Sequence, residues 1–376
     1  MSDKLRPKKG LEGVIFDKTA ISKAMPEEKK LIYRGYPVHD LADKCSFEEV
    51  AYLLLYGELP NQSQLNDFKQ RERDARTITD SLVSAIKLFP SNAHPMDKIR
   101  TGVSFLGMED PEAIDNTPDS NERKAIELLA NIPTIVAANF RSGKGQEPIG
   151  PRADLDFSEN FFHMCFGEVP DAEIVKALDA SLTLYAEHGF NASTFTSRVI
   201  ISSLSGMYSA ITGAIASLKG PLHGGANEQV MYMLQEVGSP ENAKQWILDK
   251  LSKKEKVMGF GHRLYRIGDS RVPAMSKYRD RLADLTGDSK WVDISKVLEE
   301  TMISEKGIHP NLDFPAGPAY YMMGFDIDMF TPIFVMARVS GWTAHIMEQV
   351  ADNRLVRPLS EYVGPESRPV PTLSER

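Results

Sequence analysis

The sequence predicts a mostly α-helical protein of about two domains, opened by a small β-hairpin. Three observations carry that expectation. Beyond about residue 40, apolar residues recur at helical spacing through most of the chain. Strand-like runs are confined to the N-terminal stretch and do not alternate with helices, so no parallel βαβ sheet is expected. The 376 residues exceed what a single core usually holds.

Residues 14–21 and 31–36 are short strand-like runs on either side of Met25-Pro26-Glu27-Glu28, the expected turn. Ser46 and Glu49 form an S-x-x-E capping box, each side chain serving a backbone N–H that the first helical turn leaves free. Val50, Leu53 and Leu54 follow on one face, and Gly57 and Pro60 stop the helix. Leu65 and Phe68, with the charged run to Arg76, predict a surface helix, and residues 81–88 another. Residues 108–122 are acidic and contain Pro111 and Pro118, which suits an exposed connection.

Asp171 is placed to cap the next helix. Its inner face runs through Ile174, Ala177, Leu178, Ser181, Leu182 and Tyr185, and His188 is expected to continue that face. Residues 199–218 carry no charge and are long enough to cross a bilayer. Eight of those twenty residues are Ser, Thr or Gly, however, and Gly206, Ala210, Gly213 and Ser217 recur at helical spacing. They read as one buried helix packed closely on a neighbour. The last long helix is expected over about 331–353. Ile333, Ala337, Ala344 and Val350 would look inward, while Arg338, Trp342, His345 and Gln349 share another face.

A net charge of −8 argues against nucleic acid and anionic membranes as partners. Cys45 and Cys165 are too few and too far apart for a disulfide framework or a cysteine metal site. The basic N-terminus lacks the apolar run of a secretory signal, so a reducing, cytoplasmic location is expected.

The residues that carry chemistry are scattered along the chain. Gly259 and Gly261 precede His262, which is followed by Arg263, Arg266 and Arg271 with little acid nearby, a setting suited to an anionic ligand. Gly220-Pro221 and Gly224-Gly225 display His223 on a turn, and Asp313 stands in a proline-bounded loop. Arg338 lies in an apolar helix, where it is costly unless it meets an anion, and Arg357 follows that helix. Two schemes use the set. His223, His262 and Asp313 could bind a metal as a two-His-one-carboxylate face, though no ligand spacing supports it. Alternatively, the arginines grip a di- or tricarboxylate through bidentate forks while the histidines and Asp313 handle protons beside a thioester, which needs no metal. A non-catalytic helical scaffold is the third reading.

KGPLHGGANE (219–228), VMGFGHRLYRIGDSR (257–271), HPNLDFPAG (309–317) and ARVSGWTAHIMEQ (337–349) followed by Arg357-Pro358 resemble the citrate synthase family in order and spacing. The resemblance runs from LIYRGYPVHDLA near the start to EYVGPESRP near the end. It implies an almost all-helical homodimer that condenses an acyl-CoA with oxaloacetate and hydrolyses the thioester. Asp313 would be the base, His223 the donor to the thioester oxygen, and His262 the group that polarises the oxaloacetate carbonyl. His188, Arg271 and Arg338 would bind oxaloacetate, with Arg357 reaching in from the partner subunit. Lys256, Gly259, Gly261 and Arg266 would face CoA, a cosubstrate, with no cofactor tightly bound. The implied domains are 1–224 with 324–376, and a smaller inserted domain of 225–323. The length resembles the family's dimers without NADH control. NASTFTSRVI, DMFTP and YVGPESRP resemble the 2-methylcitrate synthase branch, which favours propionyl-CoA without excluding acetyl-CoA. One methylene in an apolar pocket is worth only about 1–3 kcal/mol.

Overall fold

The computed structural model describes residues 7–265 and 267–376. Strand β1 (Ser22–Met25) pairs antiparallel with β2 (Lys30–Tyr33), and β2 with the two-residue β3 (Tyr36–Pro37). The turn falls where expected, as a 3-10 turn over Pro26–Glu28, but the first strand is not 14–21. Register decides this: the turn sets Met25 opposite Lys30 and Ser22 opposite Tyr33, so residues farther upstream run past the sheet. Phe16 packs edge-on against Phe190 and Phe195 instead.

Sixteen α-helices occur among the described residues. The first group is α1 (Val38–Lys44), α2 (Phe47–Tyr56), α3 (Gln62–Ala75), α4 (Asp80–Leu88), α5 (Pro95–Glu109) and α6 (Pro118–Gly143). Next come α7 (Phe157–Phe166), α8 (Ala172–Tyr185), α9 (Ala192–Ile201), α10 (Met207–Leu218) and α11 (Ala226–Val237). The chain continues through α12 (Pro240–Ser252), α13 (Val272–Thr286), α14 (Lys290–Lys306), α15 (Asp313–Met322) and α16 (Phe330–Ala351). The capping box forms at α2, with Ser46 N–H donating to Glu49 Oε2 at 2.7 Å, and Gly57 closes the helix at φ 94°. Asp171 caps α8 by accepting the Glu173 N–H at 2.8 Å.

Helix α16 is the hub. It is buried on nearly every side and packs against α2, α6, α8, α9 and α10. Helices α11 to α15 pack on one another, α12 on α14 and both α11 and α13 on α15, while α13 also lies against α8.

Residues 199–218 are two helices rather than one. The hydroxyls of Ser202, Ser203 and Ser205 take carbonyls of the last α9 turn, and Leu204 (φ 61°) and Gly206 (φ 87°) reverse the chain. The close helix approach expected of the small residues does occur. A Cβ at Gly213 would stand 2.1 Å from Ile200 Cδ1, where α10 lies on α9. Among the described residues, no helix is long and apolar enough to cross a membrane.

Helix α8 stops at Tyr185, so His188 does not continue its face. The Tyr33 hydroxyl lies 2.8 Å from the Glu187 carbonyl and 3.3 Å from that of Leu184, and Gly189 turns the chain at φ 57°. Tertiary partners thus replace the next helical turn.

Gly206 combines a left-handed backbone with a Cβ position only 2.3 Å from the Ala113 carbonyl oxygen. Gly206→Ala should therefore lower stability by roughly 2 kcal/mol or more, read as a fall in the urea midpoint at unchanged slope. An unchanged midpoint would show that the α9–α10 turn tolerates a side chain.

Candidate active site

Two loops meet at the centre of the molecule's chemistry. Residues 253–271 connect α12 to α13, and residues 307–312 connect α14 to α15. Gly261 N–H donates to the His309 carbonyl and Asn311 N–H to the Gly259 carbonyl, both at 2.9 Å. The Asn311 side-chain amide adds a bond to the Gly261 carbonyl at 3.0 Å. Glycine is required here on two counts. Gly259 and Gly261 have φ of 79° and 78°, and a Cβ on Gly259 would press on Val230 and Phe314 at 2.7 and 2.9 Å. The first loop displays His262, and the second delivers Asp313 as the opening residue of α15.

Asp313 Oδ1 accepts the Tyr185 hydroxyl at 2.7 Å. Burial pushes its carboxyl up to about 6, although Tyr185 and the nearby Arg271 and Arg338 oppose the rise. Such a carboxylate is basic enough to take a proton from carbon yet still ionised near neutrality.

The histidines have defined tautomers. His262 Nδ1 accepts the backbone N–H groups of Leu264 (3.1 Å) and Tyr265 (3.3 Å), so its single proton sits on Nε2. His223 Nε2 accepts the Ser193 N–H at 3.2 Å in the first turn of α9 and lies 2.8 Å from the Ser193 hydroxyl, which leaves its proton on Nδ1. Burial lowers both to about 4, helped by Arg271 at His262 and by Arg338 at His223. Both are neutral hydrogen-bond donors at physiological pH. His188 is buried edge-on to His262, with ring centroids 5.0 Å apart, and its Nε2 lies 3.1 Å from the Tyr265 hydroxyl. Burial, with Arg271 and His262 nearby, keeps it neutral as well.

Arg271 and Arg338 are buried beside this set. Asp269 takes the Nε and Nη2 edge of Arg271 at 3.0 and 2.7 Å, leaving Nη1 rather than the whole fork for another ligand. Burial works against the charge on Asp269, but Arg271 outweighs it and holds the carboxyl near 2. Arg338 donates Nε–H to the Tyr185 carbonyl at 2.7 Å, stacks over Phe334 at 4.7 Å and forms no ion pair with another described residue. Burial brings it down to about 10 while Glu187 opposes the fall. A buried site with an uncompensated guanidinium favours an anionic ligand.

A family model for the citrate synthase C-terminal domain matches residues 10–359. The chain is 56% identical to a 2-methylcitrate synthase of Mycobacterium tuberculosis strain H37Rv, over 97% of this chain and 92% of that one. It is 54% identical to a citrate synthase of Mycolicibacterium smegmatis, over 98% of both chains. The chain belongs to the citrate synthase family. The fold agrees. It superposes on the citrate synthase of Thermoplasma acidophilum, solved as a ternary complex with carboxymethyl coenzyme A and oxaloacetate, with a TM-score of 0.93 and 31% identity. That superposition covers 99% of this chain and 100% of the other.

His188, His262, Arg271, Arg338 and Asp313 converge, and His223 reaches the same surroundings through Phe334 and Arg338. Arg357 is not brought in. It is exposed on the extended segment after α16 and makes no hydrogen bond with another described residue. Lys256 is exposed near the start of the first loop, Gly259 is buried, Gly261 is half-buried, and Arg266 lies outside the described residues. Among the described residues no three His, Cys, Asp or Glu side chains gather to hold a metal, so His223, His262 and Asp313 are not assembled as ligands. Reading the sequence alone missed Tyr185, Ser193, Asp269 and Phe334 as site residues. Only Asp269 left a signal, an acid two positions before Arg271 in a basic stretch.

The Tyr185 bond stabilises the charged form of Asp313, and a hydrogen bond to a charged group is worth ~1.5–3 kcal/mol. Carboxyl 13C NMR should place the Asp313 titration near 6, and Tyr185→Phe should raise it by about one unit or more. A titration that stays put in the variant would remove Tyr185 from the account.

Proposed function

We propose that this protein condenses an acyl-CoA with oxaloacetate and hydrolyses the resulting thioester, releasing CoA and 2-methylcitrate, citrate or both. The observation that carries the reading is one carboxylate raised to about 6 among neutral, proton-bearing histidines and two buried arginines.

Asp313 removes a proton from the acyl α-carbon. The developing enolate oxygen takes a hydrogen bond from His223 Nδ1–H, the nitrogen that Ser193 leaves free. The α-carbon attacks the oxaloacetate ketone, whose oxygen is polarised by His262 Nε2–H and receives a proton as the C–C bond forms. Water then attacks the thioester carbonyl, and the thiol of CoA leaves. Arg338 and Nη1 of Arg271 hold the oxaloacetate carboxylates, and His188 contacts the same substrate. CoA passes along Lys256, Gly259, Gly261 and Arg266, and no tightly bound cofactor is needed.

The chain would act as a homodimer in the cytoplasm, with Arg357 entering the partner's site on the extended C-terminal segment. The inserted domain of 225–323 would close on the rest of the chain, 1–224 and 324–376, once oxaloacetate is bound. Support comes from the placement of His223 and Asp313 near the two crossovers and from the packing of α11 to α15 on one another. Propionyl-CoA is the favoured acyl donor and acetyl-CoA a second substrate.

A thiol-release assay with oxaloacetate and acetyl-, propionyl- or butyryl-CoA tests the reaction and ranks the acyl chains by kcat/KM. Asp313→Asn should abolish turnover with the fold intact, and full activity in that variant would overturn the assignment. The kcat/KM of the native protein should rise through pH ~6 as Asp313 ionises and show no loss from His223 or His262 until well below it. Mixing Arg357→Ala and Asp313→Asn chains should restore activity in one of the two sites of each mixed dimer. If no mixture regains any, Arg357 does not act across the interface.

A further inference from the structure

Behind His188 lies a buried polar chain that the proposed chemistry does not use. The Glu187 carboxylate is fully buried. Three donors converge on its Oε1: the His345 Nε2–H and the Ser22 hydroxyl, both at 2.9 Å, and the Gly189 N–H. Those bonds close the turn from Glu187 to Gly189, and His188 is the residue between them. Tyr33 clamps the same turn from the sheet, lying 2.8 Å from the Glu187 carbonyl and 3.2 Å from its N–H.

The tautomer of His345 is set from the other side. Arg198 Nη1 lies 3.2 Å from His345 Nδ1, and a guanidinium can only donate, so Nδ1 is the acceptor and the proton is on Nε2, aimed at Glu187. Arg198 is in turn immobilised by Gln349 Oε1 (3.0 Å), Glu348 Oε2 (2.8 Å) and Asp17 Oδ2 (3.2 Å), and it stacks on Phe190 at 4.7 Å. Space around the carboxylate is closed. A Cβ on Gly341 would come within 2.4 Å of both Glu187 Oε2 and the Ala186 carbonyl oxygen.

All three donors fall on Oε1, while Oε2 is buried with no hydrogen-bond partner among the described residues, so the Oε1 bonds are what fix the carboxylate in one orientation. Here the geometry specified is that of the His188 turn. We propose that His345, oriented by Arg198, is a positioning residue for oxaloacetate: it holds the Glu187 carboxylate and so sets where His188 presents its ring. None of the three needs to touch the substrate. The inference rests on the oxaloacetate reading above.

The test uses the full-length protein and two amide variants of His345. The Gln amide nitrogen can stand in for Nε2–H, whereas the shorter Asn side chain overlays Nδ1 and cannot reach Glu187. His345→Asn should raise the oxaloacetate KM roughly tenfold, the loss of one hydrogen bond to a charged group. The acyl-CoA KM should stay within about twofold, and His345→Gln should recover most of the loss. Ser22→Ala, at a half-buried position, removes another donor to the same oxygen and should raise the oxaloacetate KM about threefold. It keeps the question open to measurement if His345→Asn does not fold. An oxaloacetate KM unchanged in both His345→Asn and Ser22→Ala would overturn the proposal. So would a uniform loss in both substrates that tracks a falling melting temperature and is not rescued by Gln. Absence of oxaloacetate-dependent CoA release in the native protein would instead overturn the functional reading itself.

Discussion

Gly261 N–H on the His309 carbonyl and Asn311 N–H on the Gly259 carbonyl join two loops that would otherwise move independently. His262 and Asp313 hang from the two sides of that junction, so their separation is a backbone property rather than a matter of side-chain choice. Such short backbone bonds require residues that tolerate φ near +78°, and a surface at Val230 and Phe314 that accepts no Cβ. The glycines that make the loop look flexible in the sequence are there to make it stiff.

Burial then acts on the assembled set in two directions. Removing water disfavours every charged form, which raises Asp313 and lowers His188, His223 and His262. One cause thus yields a base poised near 6 and donors that remain neutral. The arginines do not follow the same course. Arg271 is held in its charged form by Asp269, whereas at Arg338 Glu187, Tyr33 and Tyr185 only partly oppose the desolvation.

Helix α16 ties this electrostatics to the fold. Arg338, Trp342, His345 and Gln349 meet, respectively, the Tyr185 carbonyl, Ser193, Glu187 and Arg198. These contacts lie along one helical stripe that braces the α8–α9 junction. That junction carries His188 directly and holds His223 through Ser193.

Helix content and the bounds of α2, α3, α4 and α16 were legible in the sequence because they depend on local rules, and the converging residues were legible through the family resemblance. Capping at Ser46 and Asp171, stop signals at Gly57, and the stripe on α16 are all set within a few residues. The four motif blocks, read together, named His223, His262, Arg271, Asp313 and Arg338, and the family resemblance added His188. Only the tertiary structure showed that residues 199–218 break in two: Leu204 and Gly206 turn left-handed there, and the Ala113 carbonyl, far along the chain, leaves no room for a side chain at Gly206. It also decided that His188 leaves the helical face, because Tyr33 supplies the bonds that replace the next turn. The tautomers of His223, His262 and His345 belong to the same class. A proton's place on an imidazole is set by which donor faces the other nitrogen, and at His223 and His345 that donor comes from another element of the fold.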